Sequence, residues 1–246
     1  MKKYFFNLFC IFLPIFAHWH CNNPSQAANN KPQIAPTTNT IATIDSDQNT
    51  KTTPIFINID SLLRQNDTVW VDMEIIAPDM VFDIRYATKN NFVGEVMYDC
   101  PKCLLRVATA KALLQVHNEL KTKSLRLKMY DCYRPWSVQN KLWKKVPDAR
   151  YVAPPAKGSV HNRGGAVDLT VVDKDGKELD MGTAFDFFGK EAYPNYTKHK
   201  PEINNNRRLL RSTMEKYNFS ISTTEWWHFS YRKKSYNVSN FQWECK

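Results

Sequence analysis

The stretch Ser159-Val-His161-Asn-Arg-Gly164-Gly165-Ala-Val-Asp168-Leu-Thr170 sets an imidazole and a carboxylate seven residues apart, with two glycines between them and an apolar, β-branched run beyond. On a plain strand, residues seven apart point to opposite faces. His161 and Asp168 therefore reach a common point only if the backbone is redirected between them. Gly164 and Gly165 permit that, because glycine adopts backbone angles closed to other residues. An imidazole and a carboxylate are ordinary zinc ligands, and a zinc site needs at least three protein groups. The fold has to bring the third from elsewhere.

The strongest candidate lies in Thr224-Glu225-Trp226-Trp227-His228-Phe229, an aromatic and β-branched segment that reads as a buried strand. His228 with His161 and Asp168 makes a three-ligand set with an open fourth position. Glu225 is then left over, and a carboxylate beside a metal-bound water is what hydrolysis needs to take a proton and return it to a leaving amine. On an ideal strand Glu225 faces with Trp227 and Phe229, away from His228. Glu225 is therefore expected at a kinked strand entry after the polar Ser222-Thr223-Thr224 turn.

The chain start reads as a targeting segment over residues 1–20: Lys2 and Lys3 precede an apolar run from Tyr4 to Ala17 that is short for a membrane span. Cys21 is a candidate lipid-bearing cysteine, against an ordinary cleavage site at Ser25-Gln26-Ala27. Either reading sends the mature protein out of the cytoplasm, to the periplasm or to a membrane as an anchored lipoprotein. Residues 21–66, rich in Asn, Thr, Gln, Pro and Ala, bury too little to offset their ordering entropy and read as a tether, with a possible short strand at Ile55–Ile59. The folded domain is expected over residues 67–246. The formal net charge of +10 does not indicate nucleic acid, because the Lys and Arg are scattered and no nucleic-acid motif accompanies them. No partner protein is expected.

Within the domain, Met80 to Tyr86 alternates as a strand does, and a helix is expected from Leu104 to Lys121 on the four-residue spacing of Leu104, Ala108, Ala112, Val116 and Leu120. His117 inside it reads as structural and His199 as a solvated loop residue; Trp136, Trp143 and Trp243 read as packing residues. Leu125 to Tyr130 alternates as a strand that Pro135 terminates. That leaves Arg134 at a strand end, where a guanidinium can grip a carboxylate or an oxyanion. Helices are expected at Ser137–Lys145 and Asn205–Tyr217, and a strand at Val167–Val172 leads into a hairpin turn at Asp173–Gly176.

With Cys10 in the leader and Cys21 set aside, Cys100, Cys103, Cys132 and Cys245 remain, which allows three pairings. An exported chain favours one or two disulfides over half of a zinc ribbon at Cys100-Pro-Lys-Cys103. A bridge at Cys132 would brace the Arg134 loop.

Five ordered blocks carry a family resemblance: Asp131-Cys-Tyr-Arg134-Pro, Ser159 to Thr170, Met181-Gly-Thr-Ala-Phe-Asp186-Phe, Asn206 to Glu215, and Glu225-Trp-Trp-His228. Together, from about Val81 onward, they resemble the D-alanyl-D-alanine dipeptidases, zinc peptidases related to the D-alanyl-D-alanine carboxypeptidases. The resemblance implies an α+β fold, an antiparallel sheet flanked by helices with a zinc cleft, and one zinc ion per chain. His161, Asp168 and His228 match the ligands, Glu225 the catalytic base and Arg134 the arginine that steadies the transition state. Ser159 and Asp186 fall where the family contacts the free amino end of a small dipeptide. The departures are Val160 and Gly165, where small polar residues are commoner, together with the cysteines and the tether. Three functions follow as expectations: an exported D-alanyl-D-alanine dipeptidase, a D,D-carboxypeptidase or endopeptidase acting on longer wall stem peptides, and a wall-binding protein whose metal only holds the fold.

Overall fold

The computed structural model describes residue 64 and residues 66–245. The leader, Cys21, the Ser25–Ala27 site, most of the tether and the Ile55–Ile59 segment lie outside the described residues.

Two sheets carry the fold. The smaller pairs β1 (Trp70–Asp72) antiparallel with β3 (Leu104–Arg106). The larger has five strands in the order β2 (Val81–Phe82), β4 (Arg126–Asp131), β5 (Ala166–Val172), β7 (His228–Tyr231), β6 (Phe219–Ile221). All its pairings are antiparallel except the edge pair β2–β4. Among the described residues four α-helices accompany the sheets: α1 (Met73–Ile76), α2 (Val107–Lys121), α3 (Trp136–Lys145) and α4 (Pro201–Lys216). The expected α+β class and antiparallel sheet are present.

β5 is the middle strand of the larger sheet, and all seven of its residues are buried. Its Val and Leu positions suit a strand covered on both faces, so Asp168 within it is a carboxylate carried into the interior. Helix α2 packs against β4 and α4, turning Leu113, Val116 and Leu120 inward to join Leu127, Met129, Leu169 and Phe229 in one core. His117 is structural, as expected: its Nδ1 accepts from the Leu127 amide and its Nε2 lies 3.2 Å from Asp79.

Several boundaries differ from expectation. The helix expected from Leu104 begins at Val107, because Leu104–Arg106 pair with Trp70–Asp72. Met80–Tyr86 is no continuous strand: two residues pair with β4, and Arg85–Ala87 close into a 3₁₀ turn. Helix α4 begins at Pro201 rather than Asn205, proline at the first helical position lacking only a donor that would be unpaired there anyway. Trp136 is no packing residue; it is 39% exposed, with its indole donating to the Pro155 carbonyl. His199 is half-buried, its Nε2 2.8 Å from the Glu191 carbonyl oxygen, and so braces a loop instead of facing solvent.

Disulfides join Cys100 to Cys245 and Cys103 to Cys132, and no zinc ribbon forms there. By loop length alone the outer bridge, spanning 145 residues, and the inner bridge, spanning 29, stabilise by roughly 5 and 3.5 kcal/mol on a chain-entropy model.

Only one of the two central glycines uses glycine's special freedom. Gly164 has φ +70°, and a Cβ there would lie 2.3 Å from the Trp70 ring, whereas Gly165 has ordinary backbone angles. Trp70 is fully buried, with Tyr133 at 4.2 Å between ring centroids and the Arg106 guanidinium 3.7 Å from its own ring centroid, so it cannot step aside. Gly164→Ala is therefore expected to cost about 2–5 kcal/mol through overpacking and left-handed strain together. A denaturant midpoint within experimental error of the parent would show that the ring does yield.

Candidate metal centre

Sheet register assembles the site. Asp168 on β5 is paired with Asp131 on β4 at one side and with His228 on β7 at the other, so three polar residues form a row across the sheet. His161 arrives from the 3₁₀ turn His161–Arg163, which Gly164 ends in left-handed conformation before β5 begins. The parity obstacle between His161 and Asp168 disappears because His161 is not on the strand.

The ligand atoms converge. Asp168 Oδ1 lies 2.9 Å from His228 Nδ1 and its Oδ2 lies 3.3 Å from His161 Nε2, with the two ring nitrogens 3.1 Å apart. The far nitrogen of each ring is occupied. His161 Nδ1 donates to the Cys132 carbonyl at 2.7 Å, and His228 Nε2 pairs with Ser230 Oγ at 3.2 Å. His161 thus turns the Nε2 lone pair toward an anionic carboxylate, with His228 Nδ1 beside it, an arrangement suited to a cation at its centre.

Zinc fits this donor set. Two groups bound at about 2.0–2.1 Å around a tetrahedral ion sit roughly 3.3 Å apart, close to the separations found. Without metal, a proton takes part of that place. Burial opposes charge on His161, but Asp168 outweighs it and raises the imidazole's proton affinity. Burial likewise pushes Asp168 up, and the two histidines overcome it, holding the carboxyl well below the usual range.

Glu225 does not lie on a strand. It sits in the turn that precedes β7, as its parity required, while the expected strand over Thr224–Phe229 starts only at His228. Among the described residues no hydrogen bond engages its carboxylate. Burial pushes it up to about 7; the charges of His228 and Arg134 lower it, and those of Asp168 and Asp186 raise it, so all four lie within electrostatic reach.

Arg134 is 7% exposed and held on three sides. Its Nε and Nη2 donate to Asp131 Oδ2 at 3.0 and 2.7 Å, and its Nη1 donates to Gln139 at 2.9 Å. The Tyr86 ring lies 4.8 Å from the guanidinium carbon, and Nη2 lies 3.9 Å from Asp168. Burial opposes the charge, but Asp131 dominates and keeps it firmly in place.

Asp186 has φ +60°, an uncommon angle for a side chain, and the Tyr86 hydroxyl donates to it at 3.3 Å. Burial and the charge of Asp168 push its carboxyl up to about 8. Ser159 is buried, and its hydroxyl accepts from the His161 amide at 3.2 Å, so it braces the ligand turn. The structure thus brings together His161, Asp168, His228, Arg134, Glu225 and Asp186, and sets Ser159 just behind His161.

Sequence reasoning gave no role to Asp131, Tyr86, Tyr98, Asn162 or Ser230. Ser230 was within reach, since residues two apart share a strand face and His228 stands two before it. Asp131 stands three before Arg134, but a salt bridge at that spacing outside a helix has no sequence signature. Tyr98, which donates to Asp131 at 2.8 Å, and Asn162, which donates to the Arg134 carbonyl at 2.7 Å, come from segments only the fold brings near.

A family model described as D-ala-D-ala dipeptidase matches residues 66–245. The chain is 35% identical over 179 residues to the D-alanyl-D-alanine dipeptidase of Escherichia coli (strain K12), covering 72% of this chain and 93% of the relative. It is 32% identical over 186 residues to the D-alanyl-D-alanine dipeptidase of Enterococcus faecium, covering 67% and 92%. Among solved structures, a vancomycin-resistance D,D-pentapeptidase in complex with Zn(II) matches at 15% identity and TM-score 0.35, over 52% of this chain and 73% of that one. The matched residues hold both sheets, both ligand segments and every side chain of the site, and the bacterial relatives align over nine-tenths of their own length: the chain belongs to the D-ala-D-ala dipeptidase family.

Proposed function

We propose that this protein is a zinc dipeptidase that hydrolyses D-alanyl-D-alanine to free D-alanine outside the cytoplasm. The observation that carries the reading is the convergence of two imidazole nitrogens and one carboxylate, all within 4.8 Å of one another, with an unengaged glutamate in electrostatic reach. His161, Asp168 and His228 would hold a zinc ion, which when bound would supply the Lewis acidity that peptide hydrolysis by water requires.

The protein's own groups do the rest. Glu225 accepts the water's proton and passes it to the departing amine. Arg134 has five N–H donors and spends three on Asp131 and Gln139, so two remain to stabilise negative charge developing on the carbonyl oxygen. Asp186, held near 8 by burial, gains most from a positively charged partner, and the free ammonium of a dipeptide provides one. A blocked amino end, as in a longer stem peptide, provides none. Ser159 is assigned to the substrate's amino end with Asp186 on the family resemblance alone, its hydroxyl here accepting from the His161 amide.

Export is proposed on two supports, the Lys2-Lys3 leader with its apolar run and a pair of disulfides of the kind that persist in oxidising compartments. A lipid anchor through Cys21 predicts a mature chain that begins at that residue and carries acyl mass, which intact-protein mass spectrometry of the membrane fraction would show or exclude.

The deciding assay measures amino-acid release from D-alanyl-D-alanine, L-alanyl-L-alanine and a wall stem pentapeptide, with and without chelator. Hydrolysis of the first alone, lost with chelator and restored by zinc, is the expected result. Preferred release of terminal D-alanine from the pentapeptide would instead make the protein a D,D-carboxypeptidase. Failure on all three would leave a wall-binding protein with a structural metal.

A further inference from the structure

The two disulfides hold different things. Cys100–Cys245 joins a half-buried residue to an exposed one and fastens the end of the C-terminal strap. Hydrogen bonds also secure that strap, from the Ser239 amide to the Asn162 carbonyl, from the Trp136 amide to the Ser239 carbonyl and from the Tyr133 hydroxyl to the Phe241 carbonyl. Cys103–Cys132 is wholly buried and stands directly behind the metal centre.

The Cys132 carbonyl is the acceptor for His161 Nδ1 at 2.7 Å. The other candidate on that side, Asp131 Oδ2, is 3.7 Å away. What a ligating imidazole donates to fixes both its tautomer and the direction of its coordinating nitrogen, so one carbonyl group governs how His161 presents Nε2. That carbonyl belongs to a bridged residue. At the other end of the bridge, the Cys103 carbonyl accepts from the Met73 amide, and the next residue opens β3. The bridge therefore ties the end of β4 to the small sheet at the residue that orients the ligand. Its neighbours Asp131 and Tyr133 are also engaged, with Arg134 and with the Leu104 carbonyl.

We propose that the Cys103–Cys132 disulfide is a positioning element of the metal centre: it fixes the Cys132 carbonyl, thereby presets His161, and so sets the affinity for zinc. This rests on the assignment of His161 as a metal ligand. The bridge touches neither metal nor substrate and acts only through that carbonyl.

The two bridges give a test in which stability and metal affinity part company. Zinc affinity of the full chain is measured by competition with a chromophoric chelator, and unfolding midpoints are recorded on the same samples. Cys103→Ala/Cys132→Ala is expected to bind zinc about 10- to 100-fold more weakly. Cys100→Ala/Cys245→Ala opens the longer loop and loses more stability, yet should leave zinc affinity unchanged. Cys103→Val/Cys132→Ala, which refills part of the lost volume, should show the same weakening as the first pair. Native zinc affinity in folded inner-pair variants overturns the proposal, as does a loss of affinity that tracks lost stability across both pairs. His161→Ala with both bridges intact is the separate control: undiminished zinc binding there would overturn the ligand assignment itself.

Discussion

Replacing Glu225 by glutamine is expected to lower turnover at least about 100-fold while zinc stays bound. Glutamine keeps the size and polarity of the side chain and loses only the ability to take a proton. None of the three ligand side chains depends on Glu225, because no hydrogen bond among the described residues joins it to His161, Asp168 or His228. Steady-state rates with D-alanyl-D-alanine and the zinc content of the same preparation check the expectation together. Unchanged turnover at full zinc occupancy would remove Glu225 as the base and favour a metal that only holds the fold.

The same substitution carries a second signature that does not involve activity. In the metal-free protein, burial lifts Glu225 from an ordinary 4.5 to about 7. The folded chain therefore holds this proton more tightly than the unfolded chain, and stability falls as pH rises through that window. Asp186, pushed from 3.8 up to about 8, adds to the same slope. Metal-free Glu225→Gln has no such proton to lose, and should exceed the parent in stability at mildly alkaline pH by on the order of 1–3 kcal/mol. The difference should vanish near pH 4, where the parent carboxyl is protonated in both states. A pH-independent difference would mean that Glu225 is less buried than the structure has it.

How much of this was legible before the fold was known depended on whether the relevant signal was local. His161, Asp168 and His228 stood out because an imidazole and a carboxylate flank a glycine pair within one short stretch, and a zinc site needs a third such group. The position of Glu225 followed from strand parity alone. Leu104 misled for the converse reason: it lies at helical spacing from Ala108, while its partners in β1 stand more than thirty positions earlier and leave no local trace. Two-residue β2 owes its existence to β4 and could not be separated from the 3₁₀ turn that follows. The shell behind the ligands was the least legible part. Asp131, Tyr98, Gln139 and Asn162 are unremarkable residue types whose roles arise from contacts between segments.

That shell makes the strongest claim on Arg134. Arg134→Met should lower turnover about 100- to 1,000-fold through loss of charge stabilisation at the developing oxyanion. It should also destabilise the protein by about 3–5 kcal/mol, because Asp131 is 0% exposed and would be left buried without its partner. Among the described residues, the Tyr98 hydroxyl and the more distant His161 ring would still face that carboxylate. The two losses are separable. Asp131→Asn/Arg134→Met removes the stranded carboxyl along with the guanidinium, so the double variant should regain much of the stability while its turnover stays low. Zinc content measured alongside excludes metal loss as the cause of low turnover. Turnover that recovers with stability would reduce Arg134 to a scaffold for Asp131. Turnover that stays low in a stable, zinc-loaded protein would identify the two uncommitted N–H groups as the ones that meet the substrate.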